Sequence, residues 1–184
     1  FRQDVPRILA DYAARNRPPV IAVFDMQRSG AQMAWDFMHM APRPLLIDLI
    51  GDHDLWRHEM TFSKETAWAL DSYPKQFDIW AKLLDRAPAL ALEGRGILRA
   101  VRKAIEDCLP MTRFVEIGGH SVPALNMLPM FASEAGHTLL AAHPTAPFAA
   151  IWYRGANGDM WSLRSQDHRV AVSEIALAHG GGGH

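Results

Sequence analysis

The residues with the clearest chemical potential lie at the end of the chain, where an arginine on a predicted strand precedes a run of glycines. Arg164 belongs to Ser162-Leu163-Arg164-Ser165, and His184 follows a run of four glycines, Gly180, Gly181, Gly182 and Gly183. Glycine lets the backbone approach a ligand closely because it has no Cβ atom. Backbone N–H groups in such a turn can bind an anion, and arginine can contact a phosphate through two donors. The pattern predicts an anion-binding site, with a flexible glycine tail as the alternative.

The strand that carries Arg164 should present that side chain together with a serine. Side chains alternate along a strand, so Ser162 and Arg164 are predicted on one face of residues 160–165 and Leu163 on the other. The alternative to a phosphate contact is an arginine exposed to solvent on an edge strand.

A second polar group, Asp52-His53-Asp54, follows the apolar residues 45–49, which read as a helix or a strand. Glycine and the polar residues predict a turn-like loop over Gly51–Trp56. Carboxylate oxygens are the ligands that hard divalent cations prefer, so Asp52 and Asp54 are candidate metal ligands. Solvated loop aspartates are the alternative.

The elements that must position these groups alternate between helix and strand in the first half of the chain. Apolar spacing predicts a helix over residues 3–15, and the continuous apolar run Val20–Phe24 predicts a buried parallel strand. Ser29 should cap a following helix. Helical spacing returns over residues 64–86, interrupted at Pro74. This alternation indicates an α/β layer.

The sequence predicts a division into two lobes. Proline and small residues at Ala87-Pro88-Ala89 mark the candidate boundary, and a long helix then runs to Pro110. We therefore expect domains at residues 1–87 and 111–184, joined by a helix over residues 88–110. The second domain should be a small α+β unit with an antiparallel or mixed sheet, built from strands at 113–117, 121–126, 148–153 and 160–165 and a helix at 131–142.

Composition limits the classes of function. The formal net charge of −1 argues against a broad electrostatic surface for long duplex nucleic acid, although it allows a local nucleotide pocket. Cys108 is the only cysteine, which excludes an internal disulfide and a cysteine-based zinc cluster. No apolar run reaches the roughly 18 residues of a membrane span, and no signal peptide is recognisable at Phe1. We expect a cytoplasmic protein with no membrane partner.

Two of these motifs resemble segments of the DHH-type phosphoesterases. Ser162-Leu163-Arg164-Ser165, then Val172–Ala176 and the glycines before His184, resemble the closing motif of their DHH-associated substrate-binding domain. The segment from Gly51 to Trp56 resembles their last metal-binding motif. The resemblance extends over nearly the whole chain and implies the C-terminal part of a DHH-type α/β domain, joined by a helix to the smaller α+β domain.

The resemblance implies an oligoribonuclease-like phosphodiesterase that depends on Mn²⁺ or Mg²⁺ and acts on short single-stranded RNA or nucleotides. Asp52 would be the metal ligand and catalytic residue, with Asp54 as the second choice. Arg164, Ser162, the four glycines and His184 would bind the substrate, the arginine and the glycine run at the same end of the nucleotide. The resemblance also allows a homodimer.

The chain departs from the family pattern in the metal motifs. The Asp-x-Asp and Asp-His-His motifs that precede this region in the family are absent, so we expect the chain to begin just after them. Two-metal hydrolysis needs two cations about 3.5–4 Å apart, which one or two aspartates cannot hold. We expect the 184-residue chain to have no hydrolytic activity on its own. The alternatives are a non-catalytic nucleotide- or nucleic-acid-binding module, and a hydrolase of cyclic dinucleotides or 3′-phosphoadenosine-phosphate.

Overall fold

The computed structural model describes residues 5–15, 17–18, 21–156, 158–166 and 168–182. It divides into two compact units, Phe1–Gly94 and Arg95–His184, and the division falls inside the longest helix. None of the helices in the described ranges is both long and apolar enough to span a bilayer. The units are described separately.

The regular secondary structure in the described part of the first unit consists of helices. Its helices are α1 (Val5–Ala14), α2 (Gly30–Met38), α3 (Leu45–Asp54), α4 (Ser63–Asp71), α5 (Phe77–Ala81) and the beginning of α6 (Ala87–Cys108). As predicted, Ser29 caps α2: its hydroxyl oxygen accepts a hydrogen bond from the Gln32 N–H, and the Gln32 side chain accepts one from the Ser29 N–H. This reciprocal pair satisfies two N–H groups that the first helical turn leaves free.

The predicted buried strand at Val20–Phe24 is wrong for the residues that are described. Residues 21–25 form no regular structure, and 88% of Ile21 and 65% of Val23 are exposed. A strand needs a neighbouring strand to accept its backbone hydrogen bonds, and the described part of this unit contains none. The apolar run therefore does not become part of a sheet here.

The predicted loop at Gly51–Trp56 is wrong for residues 51–54, because α3 continues through Asp54, whereas Leu55 and Trp56 form a turn. Gly51 lies inside this helix, where a Cβ atom would come within 2.4 Å of the Gln32 side chain. That side chain also donates a hydrogen bond from Nε2 to Asp48 on α3 at 3.0 Å. The glycine thus allows α2 to approach α3 closely and does not end the helix.

The second unit contains a four-stranded mixed sheet with a helix on each face. The strands are β1 (Arg113–Ile117), β2 (His120–Asn126), β3 (Ala149–Gly155) and β4 (Gly158–Arg164), in that spatial order. The central pair β2–β3 is parallel and the outer pairs are antiparallel. The parallel pair is connected through α7 (Ala132–Ala142), and α8 (Val172–Ala178) follows β4. Short 3₁₀ turns at Leu109–Met111 and Pro129–Phe131 complete the unit. The predicted small α+β unit with a mixed sheet is confirmed.

The β1–β2 hairpin shows why the secondary structure of the second unit could be predicted from local sequence. Gly118 and Gly119 both adopt positive φ angles, +58° and +77°, between the paired residues Ile117 and His120. A two-residue hairpin turn of type I′ needs such angles at both positions, and glycine adopts them without a steric cost.

The sheet has two distinct faces. Val122, Ala124, Phe148 and Ala150 form a buried cluster on one face, against which Leu163 and residues Val172 and Ile175 of α8 pack. The opposite face is covered by α7, which contacts β3 and β4. Because neighbouring residues of β4 alternate, Leu163 and Arg164 belong to different faces. The predicted alternation of Ser162 and Arg164 against Leu163 is therefore confirmed.

We expect Gly94→Ala to destabilise the chain by about 1–3 kcal/mol or more. A Cβ atom at Gly94 would lie 1.7 Å from the Glu65 carbonyl oxygen on α4, so one of the two helices must shift. Gly96→Ala is the matched control in the same helix, because its Cβ atom meets only the tip of Arg99 at 3.9 Å. The control should gain up to about 1 kcal/mol from helix propensity. Urea unfolding measures both, and equal stabilities for the two variants would contradict the close packing of α4 and α6.

Candidate functional site

Arg164 lies at the end of β4 with its side chain toward α7. Its aliphatic part packs directly on Gly136, where a Cβ atom would come within 2.6 Å of Cγ and 2.7 Å of Cβ of the arginine. Arginine can bury its methylene groups in this way and keep the charged group available. Any larger residue at position 136 would occupy the space of the arginine stem.

The guanidinium group of Arg164 is held by neutral partners. Nη1 donates to the Leu163 carbonyl oxygen at 2.9 Å, and Nη2 lies 3.4 Å from the hydroxyl oxygen of Ser133 in the first turn of α7. In the described part of the chain no carboxylate pairs with Arg164. Partial burial lowers the pKa of the arginine because the charged form loses hydration.

A half-buried arginine without an acidic partner is an unbalanced positive charge, and an anion is the ligand that would balance it. Arginine has five N–H donors, so the group retains donors for a phosphate or carboxylate. Ser133, at the start of an 11-residue helix, adds a hydroxyl group beside these donors. The structure thus places one hydroxyl donor next to the remaining N–H donors of Arg164.

Sequence reasoning missed Ser133 and Gly136 as neighbours of Arg164. Nothing in the sequence connects α7 to the end of β4. Gly136 did offer a signal, because an isolated glycine within a helical pattern often marks a close approach of another element.

The first two glycines of the terminal run complete the end of α8. Gly180 has a φ of +75°, and its N–H donates to the Leu177 carbonyl oxygen at 3.1 Å. The N–H of Gly181 donates to Ala176 at 2.8 Å. This pair of bonds is the Schellman motif, in which a left-handed glycine satisfies the last carbonyl groups of a helix.

The N–H groups of Gly180 and Gly181 are thus used by the helix end and are not free to cradle an anion in this conformation, and a substrate-binding role for these two glycines stays a prediction. Gly182 has open space around its Cα atom, and a binding role for it stays a prediction. Gly183 and His184 lie outside the described residues.

Arg164 and the glycines also lie on different faces of the sheet. Gly180 and Gly181 line a groove with Leu163 and Trp161, on the face that α8 covers. Arg164 packs against α7 on the other face. The predicted joint contact of Arg164 with the start of the glycine run at one end of a nucleotide does not fit this placement.

Asp52 is buried in the last turns of α3, with only 6% of its surface exposed. Its two carboxylate oxygens accept hydrogen bonds from the backbone N–H groups of Glu59 at 3.1 Å and Met60 at 3.2 Å. The side chain also forms a hydrogen bond with Ser63, the first residue of α4. The aspartate therefore connects the end of α3 to the segment that leads into α4.

Two opposing effects act on the pKa of Asp52. Burial raises it, but the hydrogen bonds from Ser63, Glu59 and Met60 and the nearby His58 lower it, and the lowering prevails. Asp54 differs: partial burial of its carboxyl group raises its pKa, although the residue as a whole is exposed.

The segment fixed by Asp52 has an unusual backbone. Trp56, His58 and Phe62 all adopt positive φ angles, between 54° and 69°, which are costly for residues with large side chains. The rings of His53, Trp56 and His58 also contact one another, with centroids 4.7–5.5 Å apart. The hydrogen bonds to Asp52 help to hold this strained segment in place.

The described residues do not by themselves fit the two-metal site that the family resemblance implies. No three metal-ligating side chains come together in the ranges that the structure describes. The Asp52 oxygens accept hydrogen bonds from backbone N–H groups, and Asp54, two residues further along α3, belongs to no group of three metal-ligating side chains in the described ranges. The role of Asp52 and Asp54 as metal ligands stays a prediction for a longer protein.

Comparison with known proteins finds a similarity to a viral protein. An uncharacterized protein of Acanthamoeba polyphaga mimivirus is 26% identical over 188 residues, a match that covers 91% of this chain and 42% of the viral protein. The chain thus corresponds to less than half the length of this relative. No protein-family model and no solved structure matches the chain.

We expect Asp52→Asn to destabilise the chain by about 1–3 kcal/mol at pH 7, because the amide NH₂ group would face backbone donors. The folded pKa of Asp52 is lowered, so its stabilising contribution is present above the unfolded value of about 3.9 and is lost as pH falls through the folded pKa. The difference between wild type and variant should therefore shrink below about pH 4. Asp54→Asn, exposed on the same helix, is the control and should change stability little. Urea unfolding from pH 3 to 7 measures this, and equal stabilities of the two variants at pH 7 would contradict the structural role of Asp52.

Proposed function

We propose that this chain is the substrate-binding part of a divalent-metal-dependent phosphodiesterase that acts on short oligoribonucleotides or nucleotides. The observation that supports it is Arg164, a half-buried cation with neutral partners and remaining hydrogen-bond donors. The resemblance of the Ser-Leu-Arg-Ser segment to the DHH-associated domain points the same way. Arg164 would bind a phosphate, with Ser133 beside it.

In this proposal the metal chemistry belongs to a longer protein. In such an enzyme, Mn²⁺ or Mg²⁺ would lower the pKa of a bound water so that it can act as hydroxide, and would neutralise the negative charge of the phosphate. The residues of this chain would bind and orient the nucleotide: Arg164 holds the phosphate by charge and by directed N–H donors, and Gly136 fixes the position of the arginine stem.

A second candidate is a nucleotide-binding module without catalytic activity. The observation that favours it is the lack of a grouped set of metal-ligating side chains in the described ranges. Both candidates share the phosphate contact of Arg164 and differ only in the presence of hydrolysis. Within the first candidate, cyclic dinucleotides and 3′-phosphoadenosine-phosphate are further substrates to test.

Removal of the charge at Arg164 tests the shared step. Arg164→Met should weaken the binding of adenosine monophosphate about tenfold or more, since hydrogen bonds to charged groups contribute about 1.5–3 kcal/mol. Gly136→Ala should weaken it as well, because the new methyl group displaces the arginine stem. Arg154→Met is the matched control on the same sheet, since Arg154 is exposed and already paired with Asp159 at 2.7 Å. Calorimetric titration measures all four proteins, and equal affinities for wild type and Arg164→Met would overturn the proposed phosphate contact.

Hydrolysis separates the two candidates. The 184-residue chain with Mn²⁺ should not cleave a short RNA such as a dinucleotide, whereas a longer protein that supplies the Asp-x-Asp and Asp-His-His motifs should cleave it. Release of mononucleotides, followed by chromatography, is the measurement, and chelation of the metal is the control. Cleavage by the 184-residue chain would contradict the division of roles, and a longer protein that has these motifs but is inactive would favour the binding module.

A further inference from the structure

The face of the sheet that α8 covers contains a groove of about 640 Å³. Its walls are mainly apolar and include Ile117 on β1, Trp161 and Leu163 on β4, and Ala176 on α8. This volume lies within the usual range for small-molecule sites, about 300–1,000 Å³, and apolar walls with few polar groups are typical of them. The groove is separate from the surroundings of Arg164, which lies on the other face.

Trp161 provides a flat aromatic surface in this groove. It is 44% exposed, and its ring stacks on that of Trp152 with centroids 5.8 Å apart and planes 25° from parallel. Support from a second indole fixes the orientation of an exposed ring that would otherwise be free to rotate. An exposed aromatic ring held in this way is a stacking surface for a planar ligand.

The charges around the groove indicate which part of a nucleotide it suits. Glu116 and Asp159 line it, and no lysine or arginine is found among the described lining residues. Asp159 pairs with Arg154 at 2.7 Å, and His179 is the basic side chain among the described lining residues, against the two carboxylates of Glu116 and Asp159. Gly180 and Gly181 also line it, but their N–H groups are committed to α8. The groove therefore disfavours a phosphate and is compatible with an uncharged ring that carries amino groups.

We propose that this groove binds a nucleobase stacked on Trp161, at a position distinct from the phosphate contact at Arg164. Many planar ligands could stack on Trp161, and we choose a nucleobase among them because the proposed function gives the protein a nucleotide substrate. Since the two sites lie on opposite faces of one sheet, a nucleoside without phosphate should occupy the groove by itself. Adenosine, with an amino group and a larger ring system, should bind more tightly than uridine.

The test is calorimetric titration of the 184-residue chain with adenosine and with uridine. Trp161→Ala should weaken adenosine binding about 5- to 150-fold, the range expected for the loss of one base–aromatic stack. Trp161→Phe retains a ring and should keep most of the affinity, which guards against a loss of folding as the cause. Arg164→Met should bind adenosine as wild type does.

Each outcome decides between the two proposals. Adenosine binding that depends on the ring at position 161 and is indifferent to Arg164 supports the groove. Adenosine binding that is equal in wild type and Trp161→Ala, or undetectable binding to wild type at millimolar concentration, overturns it. That result would leave the phosphate contact standing if adenosine monophosphate still distinguishes wild type from Arg164→Met. Loss of adenosine binding in Arg164→Met would also overturn the separation of the two sites.

Discussion

The packing of the Arg164 stem on Gly136 is the contact on which the functional interpretation of the second unit depends. Because Gly136 has no side chain, Arg164 on β4 can pack directly against α7. The Cγ atom of Arg164 lies only 2.6 Å from the position that a Cβ atom of residue 136 would occupy. This contact places the charged group beside Ser133, and in the described chain no carboxylate pairs with it. A charge held in a half-buried position with neutral partners is costly for folding alone. Such a cost is typical of residues that bind a ligand.

Residues that suggested chemistry elsewhere are used by the fold itself. The N–H groups of Gly180 and Gly181 close the end of α8, and the carboxylate of Asp52 satisfies backbone donors before α4. Both sets of hydrogen bonds have the same physical cause, because backbone N–H and C=O groups that are buried or at a helix end need hydrogen-bond partners. A residue type that can bind an anion or a cation is equally suited to this structural role, and only the hydrogen bonds distinguish the two.

The sequence predicted the second unit well because its signals are local. Gly118-Gly119 specifies a hairpin by its own backbone preferences, and the alternation along β4 assigns Leu163 and Arg164 to opposite faces. The first unit depended on contacts distant in sequence. The apolar run at Val20–Phe24 could become a strand only beside another strand, and Gly51 lies within α3, where the Gln32 side chain of α2 occupies the space that a Cβ atom would need. The packing of Arg164 on Gly136 was not predicted for the same reason, since the two residues are distant in sequence and come into contact only in the folded chain.

The most direct test of the anion site is a side-chain NMR experiment on the wild-type chain. The Nε–Hε resonances of arginine report on hydrogen bonding at each guanidinium group, and Arg154 on the same sheet serves as an internal reference. Addition of inorganic phosphate should shift the Arg164 resonance in a saturable manner and leave that of Arg154 unchanged. An unchanged Arg164 resonance at saturating phosphate, or equal shifts at both arginines, would contradict an anion site at Arg164.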